Sequence, residues 1–306
     1  MKLYVDWLFL ENLFLAEETE RHFYVKNLLS KSQQGVELII NVDVDEAYAD
    51  IEKRGIIRQI ARKLPIANLN FLSDCQLATF HQSGIPAIFF VDSVSLTISQ
   101  SFGCFVVSSN KLEEADWLFY AEPFRVDRSH RDWSLLGKIK HPCNTLVITD
   151  NYLLVNDKEY ENTVSILYNL LPKTLAEDFV FHVTIIGYSS KDFVDIHEQA
   201  KNIEAKLKKN FTYRINLSII RADHHGRYIH TNYYRIFSEK GFALFRNGRI
   251  RPDDETSVDC QPLTMSGRYA SVLATRIEEL KKCTAIHRTD RMPDKLAGTR
   301  INRLLT

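Results

Sequence analysis

The sequence predicts an α/β protein built from two α/β domains. Its 306 residues correspond to about two domains at roughly 150 residues each. Segments typical of strands and helices alternate along the chain, which favours sheets covered by helices. A polar, basic segment over residues 123–142, with a proline at each end, separates two such patterns. We therefore expect an N-terminal α/β domain over residues 1–130 and a second domain, a mixed sheet flanked by helices, over residues 140–285.

In the N-terminal domain the predicted elements are short. Apolar and β-branched runs predict strands over residues 2–10, 36–42, 87–91 and 102–108. Helical spacing predicts helices over residues 16–29 and 44–63. Acidic residues in the first turn of the first helix favour its dipole, and Pro65 ends the second helix.

The second domain shows a clearer alternation. The predicted strands cover residues 144–149, 179–187, 214–220, 227–237 and 241–245. The predicted helices cover residues 164–171, 191–210 and 269–283. Residues 286–306 are basic and carry no strong pattern, so we expect a basic C-terminal tail that becomes ordered on binding a partner.

Composition and charge narrow the class of protein. Hydrophobic residues make up 45% and charged residues 25% of the chain, which excludes a disordered chain, a collagen and a coiled-coil rod. The net charge of zero conceals an asymmetry. Residues 1–200 carry 18 basic and 28 acidic residues, a net of −10, whereas residues 201–306 carry 21 and 11, a net of +10. Such a split indicates nucleic-acid contact, or electrostatic docking between domains or chains, and both interpretations remain open.

Cysteine content and hydropathy indicate the cellular compartment of the protein and whether it crosses a membrane. The five cysteines are odd in number, widely spaced and without a C-x-x-C pair, so we expect buried, reduced thiols in a cytoplasmic protein. The longest nearly unbroken apolar run, residues 85–91, is far shorter than the roughly 20 residues of a membrane-spanning helix. We expect no membrane partner.

The most informative segment follows the predicted strand over residues 214–220. It places His225, Arg227 and Asn232 at the spacing H-x-R-x4-N. Side chains two residues apart on a strand project from one face, so His225 and Arg227 are expected to lie together. A neutral imidazole can attack phosphorus, while a guanidinium can hold the non-bridging oxygens. The sequence therefore predicts a phosphate site, with Asn232 as its third member.

This spacing resembles the phospholipase D superfamily signature H-x-K-x4-D, with Arg in place of Lys and Asn in place of Asp. Gly241-Phe242 resembles the small-residue turn that follows that signature. The resemblance covers about residues 140–285 and implies a phospholipase D-like fold there. In the family two such motifs face each other, so the single motif of this chain implies a homodimer for any active centre.

The two replacements make the motif degenerate. The resemblance therefore implies a binding module rather than a hydrolase, because the carboxylate that would orient or charge the imidazole is absent. It suggests an accessory or regulatory protein of a bacterial mobile-element or phage-defence system. Asp150-Asn151 follows the strand over residues 144–149, where ligand crevices form in α/β sheets. The same pair is common turn chemistry, which is the interpretation we favour.

Arginines interleaved with tyrosines extend the basic region. Cations neutralise phosphates and aromatic rings stack on exposed bases, so this pattern is typical of nucleic-acid binding. The same alternation can also pack a strand with one face in the core. The predicted nucleic-acid-binding residues are Arg227, Arg235, Arg246, Arg249 and Arg251.

Carboxylates in the first domain form a second candidate catalytic site. Asp6, Glu18, Asp43 and Asp92 lie at or near the ends of predicted elements. Acidic residues at the ends of neighbouring strands can converge on Mg²⁺ and hydrolyse phosphodiesters. The layout resembles a PIN-type nuclease domain, in which the first strand ends in an Asp. A Mg²⁺ cofactor is expected only if this site is a nuclease, and otherwise no cofactor is expected.

Three functions follow from these observations. The first is a nucleic-acid- or phosphate-binding accessory protein. The second is a phosphodiesterase or nuclease, acting through His225 in a homodimer or through the N-terminal carboxylates with Mg²⁺. The third is a non-catalytic subunit that docks on a protein partner or on another copy of the chain.

Overall fold

A computed structural model describes most of the chain as two compact units, Met1–Leu118 and Phe119–Thr306. The described residues are 2–30, 36–60, 64–71, 87–92, 101–114, 123–139, 141–156, 160–187, 195–222, 224–262, 275, 278–282, 295–299 and 301–305. Both units combine helices with a sheet, so the predicted α/β class is confirmed. Within these ranges no helix is long and apolar enough to cross a bilayer.

The first unit contains a five-stranded parallel sheet in the order β3-β2-β1-β4-β5. Its strands are β1 (Lys2–Val5), β2 (Glu37–Ile40), β3 (Ile66–Ala67), β4 (Ala87–Phe90) and β5 (Phe105–Val107). Its helices are α1 (Trp7–Leu15), α2 (Glu20–Ser30), α3 (Val44–Ala49) and α4 (Ile51–Ile60). The adjacent strands β1 and β4 supply core residues, since Leu3, Val5 and Ile88 are fully buried.

The predicted strand over residues 2–10 is wrong after Val5. Asp6 ends the strand and caps α1, because its carboxylate accepts a hydrogen bond from the backbone N–H of Phe9 at 2.7 Å. Phe9 and Leu10 are then buried on one side of the helix. The run looked like a strand because it is apolar on nearly every side, and such runs do not distinguish strands from helices by periodicity.

The second unit contains an eight-stranded mixed sheet in the order β13-β9-β8-β7-β10-β11-β12-β6. Its strands are β6 (Phe124–Val126), β7 (Thr145–Thr149), β8 (Val180–Gly187), β9 (Arg214–Arg221), β10 (Tyr228–Thr231), β11 (Tyr234–Ser238), β12 (Thr256–Pro262) and β13 (Leu296–Ala297). Its helices are α5 (Leu153–Asn156), α6 (Glu161–Leu170) and α7 (Ile196–Leu207). Strands β7, β8 and β9 are parallel, and the other pairings are antiparallel.

Predicted and observed elements differ most after β9. Residues 227–237 form the hairpin of β10 and β11 rather than one strand. Residues 241–245 are not a strand, because Gly241 takes a φ of +83° and the N–H of Phe242 turns to the Asp150 carboxylate. Most of the predicted helix over residues 269–283 lies outside the described residues.

The basic C-terminal segment is part of the fold where it is described. Leu296–Ala297 pairs with β9, and Leu304 and Leu305 are buried beside Ile186. The fully buried side-chain amide of Asn302 donates to the carbonyl of Leu146 at 3.0 Å. The expectation of a tail ordered by a partner therefore fails for residues 295–299 and 301–305, because this stretch supplies apolar side chains and a satisfied buried amide to its own sheet.

Candidate functional site

In the second unit, the parallel strands β7, β8 and β9 terminate at the same end of the sheet, which we call its carboxyl edge. The chain runs outward from β7 through β8 to β9 and then returns to place β10 on the other side of β7. Ligands in α/β sheets bind outside the strand ends at such a reversal. Two segments meet there, residues 150–152 after β7 and residues 224–227 before β10. Their contact includes a hydrogen bond from the backbone N–H of His224 to Asn151 Oδ1 at 3.2 Å.

Asp150 anchors this edge. Its buried carboxylate accepts hydrogen bonds from the backbone N–H of Tyr152 at 2.8 Å and of Phe242 at 2.6 Å. Burial raises the pKa of Asp150, while backbone hydrogen bonds and the charge of Arg227 act in the opposite direction. A Cβ on Gly241 would lie 2.6 Å from Asp150 Oδ2, so glycine is needed for this close approach. The favoured interpretation of Asp150 as a turn residue agrees with these contacts.

His225 and Arg227 lie on this edge, but not on a strand. The strand begins at Tyr228, so the prediction that both side chains project from one face of a strand is wrong. His225 is exposed and Arg227 is partly buried. The Arg227 guanidinium donates to the carbonyl of Glu239 and lies 5.8 Å from the centre of the Tyr152 ring.

Tyr152 is a member of this edge that the sequence analysis did not identify. Its side chain is 54% exposed, which is high for a large aromatic residue directly after a buried strand. Hydrogen bonding of its backbone N–H to Asp150 fixes its position. A hint of this role in the sequence is its position, because Tyr152 follows the Asp-Asn pair at the end of the predicted strand over residues 144–149.

Asn232 does not join His225 and Arg227. Strand β10 separates them, and its four residues span about 13 Å. Asn232 is buried, and its side-chain oxygen accepts hydrogen bonds from the backbone N–H groups of Asn144 at 3.0 Å and Thr145 at 3.2 Å. It therefore holds the amino end of β7, opposite the edge that carries His225. The prediction of a three-residue site is wrong in this respect, because the x4 segment is an extended strand.

The other predicted arginines divide into two groups. Arg235 is partly buried on β11, with its guanidinium 4.7 Å from the centre of the Tyr228 ring, so it packs on the sheet. Arg246, Arg249 and Arg251 are exposed. The first two face each other across a tight turn, and each backbone N–H bonds the carbonyl of the other residue, at 2.8 and 3.1 Å.

In the first unit, Asp6 and Asp92 meet at the carboxyl ends of neighbouring strands. The backbone N–H of Asp92 donates to Asp6 Oδ2 at 2.9 Å. Asp92 in turn accepts hydrogen bonds from the Asn12 amide and from the backbone N–H and hydroxyl of Ser109, each at 2.7 Å. Asp6 is fully buried and Asp92 is partly exposed. This network joins β1, β4, α1 and the segment after β5.

The other two predicted metal ligands have local roles instead. Glu18 is exposed and forms an ion pair with Lys26 at 3.3 Å. Asp43 caps α3 by accepting from the backbone N–H groups of Asp45 and Glu46. In the described part of the chain, no group of three or more His, Cys, Asp or Glu side chains could hold a metal ion. Two carboxylates of the predicted set of four therefore come together.

The described cysteines agree with the expectation of reduced thiols. Cys104, Cys143 and Cys260 are buried and are not paired in disulfides. Burial raises the pKa of the Cys260 thiol, so it stays protonated and weakly reactive. Cys75 and Cys283 lie outside the described residues.

Comparison with known proteins adds no identification. No protein-family model and no curated protein sequence matches the chain. The resemblances to phospholipase D-like and PIN-type proteins therefore stay predictions from the sequence.

Proposed function

We propose that the protein binds single-stranded nucleic acid at the carboxyl edge of the second unit's sheet. The observation that carries this proposal is the position of Tyr152 beside Arg227. An exposed aromatic ring and a guanidinium lie 5.8 Å apart at the reversal point of an α/β sheet, and His225 is exposed on the adjoining segment. A ring can stack on an unpaired base while the cation holds its phosphate.

The surrounding charge and geometry support this choice of ligand. Residues 201–306, which include Arg227, carry a net charge of +10. A duplex hides the faces of its bases in the stack, so an exposed tyrosine favours a single strand. We therefore expect weaker binding of double-stranded nucleic acid, which would use the cations without the ring.

The same geometry favours binding over hydrolysis at His225. A nucleophilic imidazole needs a partner that orients it or sets its charge. Asn232 is buried at the far end of β10, and the Asp150 carboxylate is engaged by the backbone N–H groups of Tyr152 and Phe242. The motif position that would carry the orienting carboxylate is therefore an asparagine far from His225, and we assign His225 a role in contacting phosphate rather than in attacking it.

Fluorescence anisotropy with labelled oligo(dT) and oligo(U) tests the proposal. Stacking of one base contributes about 1–3 kcal/mol, so Tyr152→Ala is expected to weaken binding by about 5- to 150-fold. Tyr152→Phe keeps the ring and should bind within a few-fold of wild type. The matched control is Arg214→Ala, which removes an exposed arginine at the opposite end of β9.

Two outcomes would contradict the proposal. One is an affinity of Tyr152→Ala and Arg227→Ala equal to that of Arg214→Ala. The other is cleavage of the oligonucleotide in EDTA that disappears in His225→Ala, since this result would make His225 a catalytic residue.

A second candidate function is Mg²⁺-dependent phosphodiester hydrolysis in the first unit. The observation that favours it is the hydrogen bond of 2.9 Å from the Asp92 backbone to Asp6, which sets two carboxylates at neighbouring strand ends. Mg²⁺ is commonly held by one or two carboxylates together with waters and substrate phosphates. Asp92 fits this use better than Asp6, because it is partly exposed.

Cleavage of the same oligonucleotides with Mg²⁺ and with EDTA tests the second candidate. If it is correct, Asp92→Asn abolishes a Mg²⁺-dependent cleavage, while the exposed Asp45→Asn leaves the cleavage intact. Asn keeps the shape and part of the hydrogen bonding of Asp92, so thermal unfolding of each variant separates lost chemistry from lost structure. No cleavage by the wild type in Mg²⁺ would contradict this candidate.

A further inference from the structure

A cavity of about 400 Å³ lies in the second unit, apart from the residues of the proposed nucleic-acid site. Its lining includes Arg131, α6 residues, Lys206 of α7 and Gly248 of the tight turn. Cavities of roughly 300–1,000 Å³ are the usual size of small-molecule sites. Neither Tyr152 nor Arg227 lines it, so it can be tested separately from the proposed nucleic-acid site.

One wall of the cavity is a polar stripe on α6. Glu161, Ser165 and Asn169 are spaced four residues apart, which places them on one face of the helix. The helix buries its opposite side through Ile166 and Leu167. All three polar residues are partly exposed, so their side chains can reach a ligand in the cavity.

This stripe offers both a donor and an acceptor. Ser165 Oγ accepts the backbone N–H of Trp133 at 2.9 Å, which leaves its O–H to donate. The Asn169 amide nitrogen donates to the carbonyl of Ser165 at 2.8 Å, which turns its oxygen to accept. A polar ring or sugar that carries both kinds of group would match the stripe.

The tight turn contributes Gly248 to the lining of the cavity, and two arginines lie beside Gly248 in this turn. Asn247 and Gly248 have φ values of 51° and 65°, which close the turn and leave Arg246 and Arg249 opposite each other and exposed. Arg131 reaches the same turn, since its Nη1 donates to the carbonyl of Gly248 at 3.4 Å. The Glu161 carboxylate holds the turn by accepting the backbone N–H of Asn247 at 3.1 Å.

The charges of the lining and the turn favour an anion. The lining itself is balanced, with Arg131 and Lys206 against Asp132 and Glu161. The positive excess comes from Arg246 and Arg249, which are exposed on the turn beside the lining residue Gly248. Guanidinium groups bind phosphate oxygens in a planar, bidentate arrangement, which suits a phosphate monoester.

We propose that this cavity binds a nucleoside monophosphate, with its phosphate at the arginine turn and its nucleoside along the α6 stripe. The same chemistry is present in a free nucleotide and in the 5′-phosphorylated end of a nucleic-acid strand. The site is independent of the Tyr152 edge, so failure of one proposal leaves the other standing.

Isothermal titration with AMP and UMP tests this inference, with inorganic phosphate and adenosine as partial ligands. We expect saturable binding of the monophosphates, at least about tenfold tighter than adenosine. Arg249→Ala and Ser165→Ala should each weaken AMP binding by about fivefold or more. The exposed-arginine control Arg214→Ala and the edge variant Arg227→Ala should bind AMP like wild type.

A second comparison distinguishes a free nucleotide from the 5′-phosphorylated end of a strand as the ligand. A short oligonucleotide with a 5′-phosphate is compared with the same oligonucleotide without it, in the Tyr152→Ala background that weakens the other site. A preference for the phosphorylated strand indicates strand-end recognition, and binding of AMP without that preference indicates a free nucleotide.

Three results would overturn the inference. The first is no saturable binding of AMP or UMP at millimolar concentration. The second is equal binding of adenosine and AMP, which would exclude the phosphate from recognition. The third is loss of AMP binding in Arg227→Ala but not in Arg249→Ala, which would place the nucleotide at the other site. Because Arg249 is exposed, its variant is expected to fold, and thermal unfolding verifies this.

Discussion

The two units place very different groups at the carboxyl edges of their parallel strands. In the first unit, Asp6 and Asp92 are joined to each other and to neighbouring elements by a dense set of hydrogen bonds. In the second unit, the Asp150 carboxylate connects the segment after β7 to Phe242 by hydrogen bonds. Tyr152 and His225 on the same edge are exposed to solvent. An edge can therefore be used mainly to hold its fold together or mainly to present groups to a ligand.

This difference explains why the second edge is the better candidate for binding. Charged and polar groups that are already engaged must lose those bonds before they bind a ligand, and each loss costs free energy. Tyr152 is exposed, and Arg227 uses a donor of Nη1 on the Glu239 carbonyl, while a guanidinium carries five N–H donors and can also contact a phosphate. The first edge would require an ion to share Asp92 with Asn12 and Ser109.

The largest expected effect is the loss of stability on replacing Asp6. Asp6→Ala removes the acceptor of two backbone N–H groups, that of Phe9, which is buried, and that of Asp92, which is partly buried. At roughly 2 kcal/mol for each orphaned donor, the free energy of unfolding should fall by about 4 kcal/mol. Chemical denaturation measures this, with the exposed Asp45→Ala as control. A loss under about 1 kcal/mol would show that the first edge is not held by Asp6.

The next effect concerns pH and the amino end of the second sheet. His141 is buried, its Nε2 lies 2.8 Å from Thr231 Oγ1, and burial lowers its pKa from 6.5 to about 4. The unfolded chain then takes up the proton first as the pH falls below 6.5. At about 1.4 kcal/mol per pH unit, this residue should cost about 3 kcal/mol of stability between pH 6.5 and pH 4.

Denaturation at several pH values tests the His141 prediction. His141→Gln should flatten the fall in stability below pH 6.5, and the same substitution at the exposed His197 serves as the matched control. A profile in His141→Gln that still follows the wild type would show that other groups cause the acid sensitivity.

A smaller effect is expected at Gly241, which lies against Asp150. Gly241→Ala forces a residue with a Cβ into a φ of +83° and places that atom 2.6 Å from Asp150 Oδ2. The expected loss is roughly 2 kcal/mol. Gly55→Ala is the control, since an added Cβ there meets nothing within 4 Å and Gly55 lies in a helix. Equal stability of Gly241→Ala and wild type would remove Asp150 as the anchor of the second edge.

The smallest effect on stability is expected at Tyr152. Because its ring is 54% exposed, Tyr152→Ala should change the free energy of unfolding by less than about 0.5 kcal/mol. If Tyr152→Ala lowers the free energy of unfolding as much as Asp6→Ala does, Tyr152 holds the second edge together as Asp6 holds the first, and the proposed difference between the edges is wrong. Thermal and chemical denaturation of the two variants under one condition make this comparison.

Much of the parallel core was predictable because its strands are apolar on both faces and bounded by turn residues. The predictions over residues 144–149, 179–187 and 214–220 differ from β7, β8 and β9 by at most one residue at an end. The meeting of Asp6 and Asp92 also follows from strand ends alone, since neighbouring parallel strands end at the same edge.

Spacing along the sequence could not predict the second site. The motif H-x-R-x4-N suggested a cluster, but the intervening β10 carries Asn232 to the amino end of β7. Tyr152 lies 75 residues before Arg227 in sequence, and the fold alone brings them together. Glu18, which was predicted as a metal ligand, instead forms an ion pair with Lys26, a residue close to it in sequence on α2.

The salt dependence of oligo(dT) binding is the sharpest test of a nucleic-acid site at the second edge. Each phosphate contact of a single strand contributes about 0.7 to the slope of log affinity against log salt. If Arg227 holds a phosphate and Tyr152 stacks on a base, Arg227→Ala reduces the slope by about this amount, whereas Tyr152→Ala weakens binding and leaves the slope unchanged. Slopes and affinities for both variants that match Arg214→Ala would contradict the assignment of this edge as a nucleic-acid site.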